Sequence, residues 1–221
     1  MVINVESGTL KKGNLWYSVH THIVRYTLQS NIHFLRKGIG KVMTKGITNK
    51  TVSLNHVQSI AVTAVMIALT YVFTAFVNIR LPVMAKGGLI HLGNIPLFLA
   101  SIIFGWKVGM IAGGVGMALF DVTSGWTIWA PFTLIVAGLM GFVTGKISEN
   151  KNTYGRNAIA LIFALVIKVV GYYVAEWILY GNMLTPVSSI PGNIIQIVIA
   201  GVVVLPVSVR LSEASSHIFN Q

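Results

Sequence analysis

Residues 57–79 read VQSIAVTAVMIALTYVFTAFVNI, and this stretch decides the class of fold. It contains 23 residues without a charged side chain, and a helix needs about 20 predominantly apolar residues to cross the hydrocarbon of a bilayer. Strands with open edges are unstable there, because their backbone groups would find no hydrogen-bond partners. We therefore predict a transmembrane helix at residues 57–79 and an all-α fold for the chain.

Five more apolar stretches follow, and glycine, proline or polar residues separate them. Each is compatible with a membrane helix, although the second and third are short and rich in glycine. Their predicted bounds are residues 89–105, 107–124, 127–147, 157–180 and 192–211. The sequence thus predicts an all-α integral membrane protein, built as a bundle of six transmembrane helices.

The composition agrees with a chain that lies mostly in hydrocarbon. Of its 221 residues, 54% are hydrophobic and 10% are charged, whereas soluble domains carry about 25% charged residues. The net charge of +11 is concentrated in residues 1–50, which hold eight Lys/Arg and one acid. This distribution is typical of a cytoplasmic flank rather than of a nucleic-acid binder. The sequence has no cysteine, which excludes disulfides and thiolate-bound metals.

The positive charges also predict the topology. If the N-terminus lies inside, the outer loops carry only Arg80 and Lys86, and the inner segments carry all the other Lys and Arg between the helices. Because cytoplasmic loops are enriched in Lys and Arg, both termini are expected in the cytoplasm. We divide the chain into a basic leader (1–50), a six-helix membrane domain (51–212) and a short cytoplasmic tail (213–221). The leader is either a cytoplasmic arm or an upstream extension, if the natural start is Met43.

Polar side chains in hydrocarbon are costly and normally mark function. In this topology the polar side chains of four helices lie in the outer half of the membrane, while the inner halves of the same helices are almost purely apolar. This asymmetry argues against a continuous pore and predicts a pocket open to the outside. The predicted solute-binding residues are Asn94, Asp121, Trp126, Lys168, Tyr172, Glu176, Asn193 and Gln196. Further rim aromatics are Trp129, Tyr173 and Trp177, and the role of His91 stays open.

Several of these residues have alternative structural interpretations. The tryptophans could belong to an interfacial aromatic belt. Lys168 and Glu176 could form an ion pair, although two helical turns separate them by about 12 Å. Asp121 could cap a helix or pair with a cation of the first outer loop, and Asn193 could cap the sixth helix.

The first helix carries no polar cluster but has small residues four apart, Ala64 and Ala68, which allow another helix to approach closely. Spacing alone favours packing within the bundle. The sequence has no Walker A motif, no HExxH motif and no histidine in the later helices that could serve a serine nucleophile. No catalytic or metal-binding residues are therefore predicted, and the chain is not expected to be an enzyme.

Five sequence blocks carry a resemblance to a known family. They are GLIHLGNIP (88–96), FGWKVG (104–109), AGGVG (112–116), ALFD (118–121) and IWAPFT (128–133). Over about residues 55–211 the chain resembles the substrate-binding S components of energy-coupling factor (ECF) transporters. It is most similar to the branch associated with hydroxymethylpyrimidine, thiamine precursors or pyridoxine.

The resemblance implies a six-helix protein that binds a vitamin or its precursor from outside and holds no cofactor of its own. ATP would be used by two cytoplasmic ATP-binding subunits, which act with a transmembrane coupling subunit. Ala64 and Ala68 match the pattern that contacts the coupling subunit, and residues 80–90 match the lid over the pocket. Delivery would follow from toppling of the whole S component. The alternatives are a stand-alone secondary transporter of a heterocyclic solute, or an S component for another vitamin such as pantothenate.

Overall fold

Six α-helices and one short hairpin form the part of the chain that the structure describes. The computed structural model describes residues 51–80, 89–149 and 152–219, so the predicted leader 1–50 lies outside the described residues. The elements are α1 (His56–Phe76), β1 (Asn78–Arg80), β2 (Leu89–His91), α2 (Asn94–Phe104), α3 (Trp106–Thr123), α4 (Ala130–Ser148), α5 (Tyr154–Tyr180), a 3₁₀ turn (Thr185–Ser189) and α6 (Ile190–Phe219).

Local sequence signals explain where α1 and α5 begin and where α5 ends. Asn55 and Gln58 form a capping box at the start of α1, each side chain accepting a hydrogen bond from the other's backbone N–H, at 2.9 and 3.0 Å. Thr153 caps α5 by accepting from the backbone N–H of Arg156. Gly181 ends α5 in the left-handed conformation with φ of 65°, which glycine adopts without strain.

The predicted bounds of the first two helices are wrong at the join between them. The first helix ends at Phe76, and Asn78–Arg80 pairs antiparallel with Leu89–His91. The two strands satisfy each other's backbone groups, which an apolar stretch alone does not reveal. As a result α2 has 11 residues, a length of about 16 Å that is too short to cross the hydrocarbon.

Four helices of the described residues are long and apolar enough to cross a membrane: α1, α4, α5 and the helical stretch Thr185–Ser212 that contains most of α6. The short α2 leads directly into α3 through Gly105, whose φ is 94°. The prediction of an all-α membrane bundle is confirmed. The later helices keep their predicted positions within a few residues, except that α6 continues past the predicted end at residue 211 to Phe219.

Glycines allow α3 and α4 to pack closely. A Cβ atom at Gly141 would clash with the backbone of Gly109, and one at Gly113 would lie 3.1 Å from the carbonyl oxygen of Ala137. Small residues are the usual means by which membrane helices approach, because lipid supplies no hydrophobic force between helices. This contact fixes the N-terminal half of α3 against the C-terminal half of α4.

A buried polar network joins α4, α5 and α6 at the end of the bundle where α5 begins. Ser148 donates to the Asn157 side-chain oxygen at 2.9 Å, and the Asn157 amide donates to Asn152 at 2.7 Å and to Ser208 at 3.1 Å. These four residues are at most 1% exposed. The prediction that this half of the bundle is almost purely apolar is therefore wrong at its end, where polar side chains satisfy one another.

Candidate solute-binding site

A cavity of about 90 Å³ lies at the end of the bundle opposite the polar network around Asn157. The C-terminal halves of α1, α3 and α5 and the N-terminal ends of α4 and α6 converge there, together with strand β2. Its lining mixes charged, amide, hydroxyl and aromatic side chains: Thr74, Ile90, His91, Met117, Phe120, Asp121, Trp126, Trp129, Thr133, Lys168, Tyr172, Glu176, Ser189, Gly192, Asn193 and Gln196. A concave site with a few convergent polar groups is what binding of a small molecule requires.

Seven of the eight residues predicted to bind solute line this one cavity. Those seven are Asp121, Trp126, Lys168, Tyr172, Glu176, Asn193 and Gln196. The eighth, Asn94, is fully buried behind Gln196 and donates to its side-chain oxygen at 3.5 Å. The structure therefore brings the predicted residues together but gives Asn94 a supporting position. Asn193 lies within the first turn of α6, which begins at Ile190, and so is not its cap.

Helix α5 supplies a polar face of three residues one turn apart. Lys168 is 1% exposed, and its ammonium lies 5.2 Å from the centre of the Tyr172 ring. Tyr172 in turn donates its hydroxyl to Thr133 of α4 at 3.4 Å. Glu176, 7% exposed, accepts a hydrogen bond of 2.8 Å from Ser189. Among the described residues Lys168 and Glu176 form no salt bridge with each other, in contrast to the ion-pair alternative.

Asp121 lies in the last turn of α3, close to the cavity. One of its carboxylate oxygens is buried and has no hydrogen-bond partner among the described residues. The helix that follows it, α4, begins without a side-chain cap, so Asp121 does not cap that helix. Its alternative pairing with Lys86 or the Arg80 side chain lies outside the described residues. An acceptor of this kind can take a hydrogen bond from a solute.

The aromatic rim is smaller than predicted. Trp126, Trp129 and Tyr172 line the cavity, and the Trp129 ring makes an edge contact with Tyr180 at 6.0 Å. Trp177 is 41% exposed, and the Tyr173 hydroxyl donates to the carbonyl oxygen of Met183. Neither belongs to the cavity, because both lie on other faces of α5.

Sequence reasoning missed Thr133 and Ser189 and left His91 without a role. Thr133 follows Trp129 by one helical turn, and this spacing could have revealed that the two share a face. His91 is 8% exposed, and its Nδ1 accepts a hydrogen bond from the backbone N–H of Gly93 at 3.3 Å. Its place beside the cavity depends on the unpredicted hairpin.

The two alanines predicted to contact a partner lie on the outer face of α1. Ala64 and Ala68 are both exposed, and they are flanked by exposed apolar side chains such as Ile60 and Val65, which are 60% and 58% exposed. The bundle therefore leaves this face of α1 uncovered. Their role as a partner interface stays a prediction.

The fold and the cavity define a class of protein: a helical membrane protein with a solute-sized polar site at one end of its bundle. The chain belongs to the family described as "ECF-type riboflavin transporter, S component", whose model matches residues 54–213. The members are components of transporters rather than enzymes, in agreement with the predicted lack of catalysis. The predicted family is confirmed, and so is the location in a membrane.

Three individual proteins illustrate the similarity. An uncharacterised protein of Pyrococcus woesei is 38% identical over 47% of this chain and 69% of its own length. The thiamine precursor transporter HmpT of Lactococcus lactis is 24% identical over 68% of this chain and 85% of its own length. A solved S component of a bacterial ECF transporter has the same fold with a TM-score of 0.61 and 19% identity, over 72% of this chain and 98% of that one.

Proposed function

We propose that this chain is the subunit of an ECF importer that captures a one-ring vitamin precursor, such as hydroxymethylpyrimidine, from outside the cell. The observation that carries the proposal is the convergence of Asp121, Lys168, Glu176 and Gln196, from three helices, on one cavity. Acidic, basic and amide groups together suit a small heterocycle with donors and acceptors of hydrogen bonds. They suit a dianionic vitamin such as folate less well.

The size of the cavity favours a solute with one ring. Sites for drug-sized ligands usually span roughly 300–1,000 Å³, whereas this cavity measures about 90 Å³. Trp126 and Trp129 offer flat apolar surfaces on which one aromatic ring could stack. The similarity to a thiamine precursor transporter supports the same class of substrate. The description of the family names riboflavin, which is a larger molecule. Riboflavin must therefore be included when binding of different vitamins is compared.

In the proposed cycle the solute enters beside strand β2, whose Ile90 and His91 line the cavity. Residues 81–88 of the predicted lid lie outside the described residues. The network around Asn157 closes the other end of the bundle, so a path through the bundle is blocked. Delivery would instead require movement of the whole protein, driven by ATP use in the partner subunits, with Ala64 and Ala68 against the coupling subunit.

A binding assay tests the proposed substrate. Purified protein in detergent is titrated with hydroxymethylpyrimidine, thiamine, pyridoxine, pantothenate and riboflavin, and its folding is verified by thermal unfolding. We expect the tightest binding for hydroxymethylpyrimidine or pyridoxine. If folded protein binds none of the five, the proposed function is wrong.

An uptake assay tests the proposed partners. Cells that produce this chain are compared with and without the ECF coupling and ATP-binding subunits, and uptake of the radiolabelled solute is measured. We expect uptake only when the partner subunits are present. Uptake without them would identify a stand-alone secondary transporter.

A further inference from the structure

Two buried hydrogen-bond donors line the cavity without an acceptor in the described residues. Lys168 forms neither a hydrogen bond nor a salt bridge there: its ammonium lies over the face of the Tyr172 ring, and the Asp121 carboxylate acts on it only through its charge. Such an aromatic face attracts the charge but does not accept directed hydrogen bonds as oxygen does. A polar group on a largely buried side chain normally has a partner, and a solute in the cavity can supply one.

His91 is the second donor. Its Nδ1 accepts from the Gly93 N–H, so the proton of the neutral imidazole resides on Nε2. No described residue accepts a hydrogen bond from this N–H, although His91 is only 8% exposed. Lys168 is near enough for its charge to act on the His91 ring. Both side chains line the same cavity.

We propose that His91 and Lys168 form a donor pair that recognises the acceptor edge of a planar heterocycle, namely a ring nitrogen or a ring-bound oxygen. The inference rests on the proposed function, since it assigns the orientation of the solute in that site. The unpartnered oxygen of Asp121 supplies the complementary acceptor. The recognised solute therefore carries an acceptor for the donor pair and a donor, such as an amino or hydroxyl group, for Asp121.

This arrangement distinguishes heterocycles from carbocycles of the same shape. A site built from buried donors rejects an analogue that lacks the acceptor, because the donors would then stay unpaired. Stacking on the tryptophans alone gives no such discrimination, since any flat ring satisfies it. Specificity for the ring nitrogen is thus assigned to His91 and Lys168 rather than to the aromatic rim.

The test measures two ligands on the full chain and its variants. The ligands are hydroxymethylpyrimidine and 2-aminobenzyl alcohol, which keeps the ring, amino and hydroxymethyl groups but has no ring nitrogen. The variants are Lys168→Met and His91→Asn, whose amide oxygen can still accept from the Gly93 N–H. Lys107→Met is the matched control, because Lys107 is exposed and lies at the start of α3, away from the cavity.

We expect each pocket variant to weaken binding of the pyrimidine by about 10- to 100-fold, the usual effect of losing a hydrogen bond to a charged or buried group. Binding of 2-aminobenzyl alcohol should be weak in the original protein and should not weaken further in the variants. Lys107→Met should bind both ligands as the original protein does. Equal losses for both ligands, or no loss for either, would overturn the donor pair while leaving the proposed function intact.

Thermal unfolding without ligand tests the donor pair independently of the solute. Methionine has a similar volume to lysine but no donor, so Lys168→Met should melt at the same or a higher temperature than the original protein. A lower melting temperature would show that the protein itself satisfies Lys168, and the inference would be wrong. If the original protein bound neither the pyrimidine nor the vitamins, the proposed function would fail and the inference with it, whereas a lower melting temperature with binding intact would overturn the inference alone.

Discussion

Replacing Gly141 by alanine should separate α3 from α4. The added Cβ would lie 2.5 Å from the carbonyl carbon of Gly109, whereas ordinary contacts begin at 3.4 Å. The backbone of α3 cannot rotate away as a side chain can, so the helices must part by about 0.9 Å at this point. Overpacking of this kind costs about 1–3 kcal/mol.

Gly138→Ala is the matched control. It lies one turn earlier on the same helix, and its added Cβ would be 3.7 Å from the nearest atom, the carbonyl oxygen of Met110. Because the gain in helix propensity is the same at both positions, the difference between the two variants isolates the overpacking.

We expect Gly141→Ala to melt roughly 2–12 °C below Gly138→Ala, at about 2–4 °C per kcal/mol for a chain of this size. The assay is thermal unfolding of both purified variants in the same detergent. Because α3 and α4 also hold Asp121 and Thr133 at the cavity, Gly141→Ala should weaken solute binding as well. Equal melting temperatures for the two variants would refute the assigned packing.

Three further changes test the partner face, the pocket and the polar network. Ala64→Leu or Ala68→Leu should abolish uptake but spare solute binding, because both alanines lie on an exposed face of α1, away from the cavity. Val166→Leu, on the exposed surface of α5, is the control. Equal loss of uptake and binding would contradict this role. Glu176→Ala should weaken binding about tenfold or more without lowering the melting temperature, and unchanged affinity would give Glu176 a structural role. Asn157→Leu should lower stability by about 1–3 kcal/mol, because its partners lose their hydrogen bonds; an unchanged melting curve would argue against the network.

Much of the fold could be predicted because membrane helices follow one dominant rule. Hydrocarbon forces the backbone of each long apolar stretch into a helix, so α4, α5 and α6 appear close to their predicted positions. The hairpin before α2 could not be predicted in this way. Its strands directly adjoin the apolar stretches of α1 and α2, and only the pairing of Asn78 with His91 and of their neighbours shows that they are extended.

The pocket was largely predictable because polar residues in hydrocarbon are few. Depth alone placed Asp121, Lys168, Glu176 and Gln196 in one layer, and the structure brings them to one cavity. Depth does not reveal which way a side chain points around its helix, so Trp177 was wrongly included. His91 stayed without a role because its position depends on the hairpin.

The buried network around Asn157 also has a consequence for biogenesis. Its members come from parts of the chain that are synthesised in succession: Ser148 and Asn152 first, then Asn157, and Ser208 only with the last helix. Until α6 is inserted, the Asn157 amide lacks one of its acceptors, which is costly beside lipid. The last helix therefore completes the buried hydrogen bonding of the two helices before it. A nascent chain that stops after α5 should stay incompletely assembled and be recognised by membrane quality control.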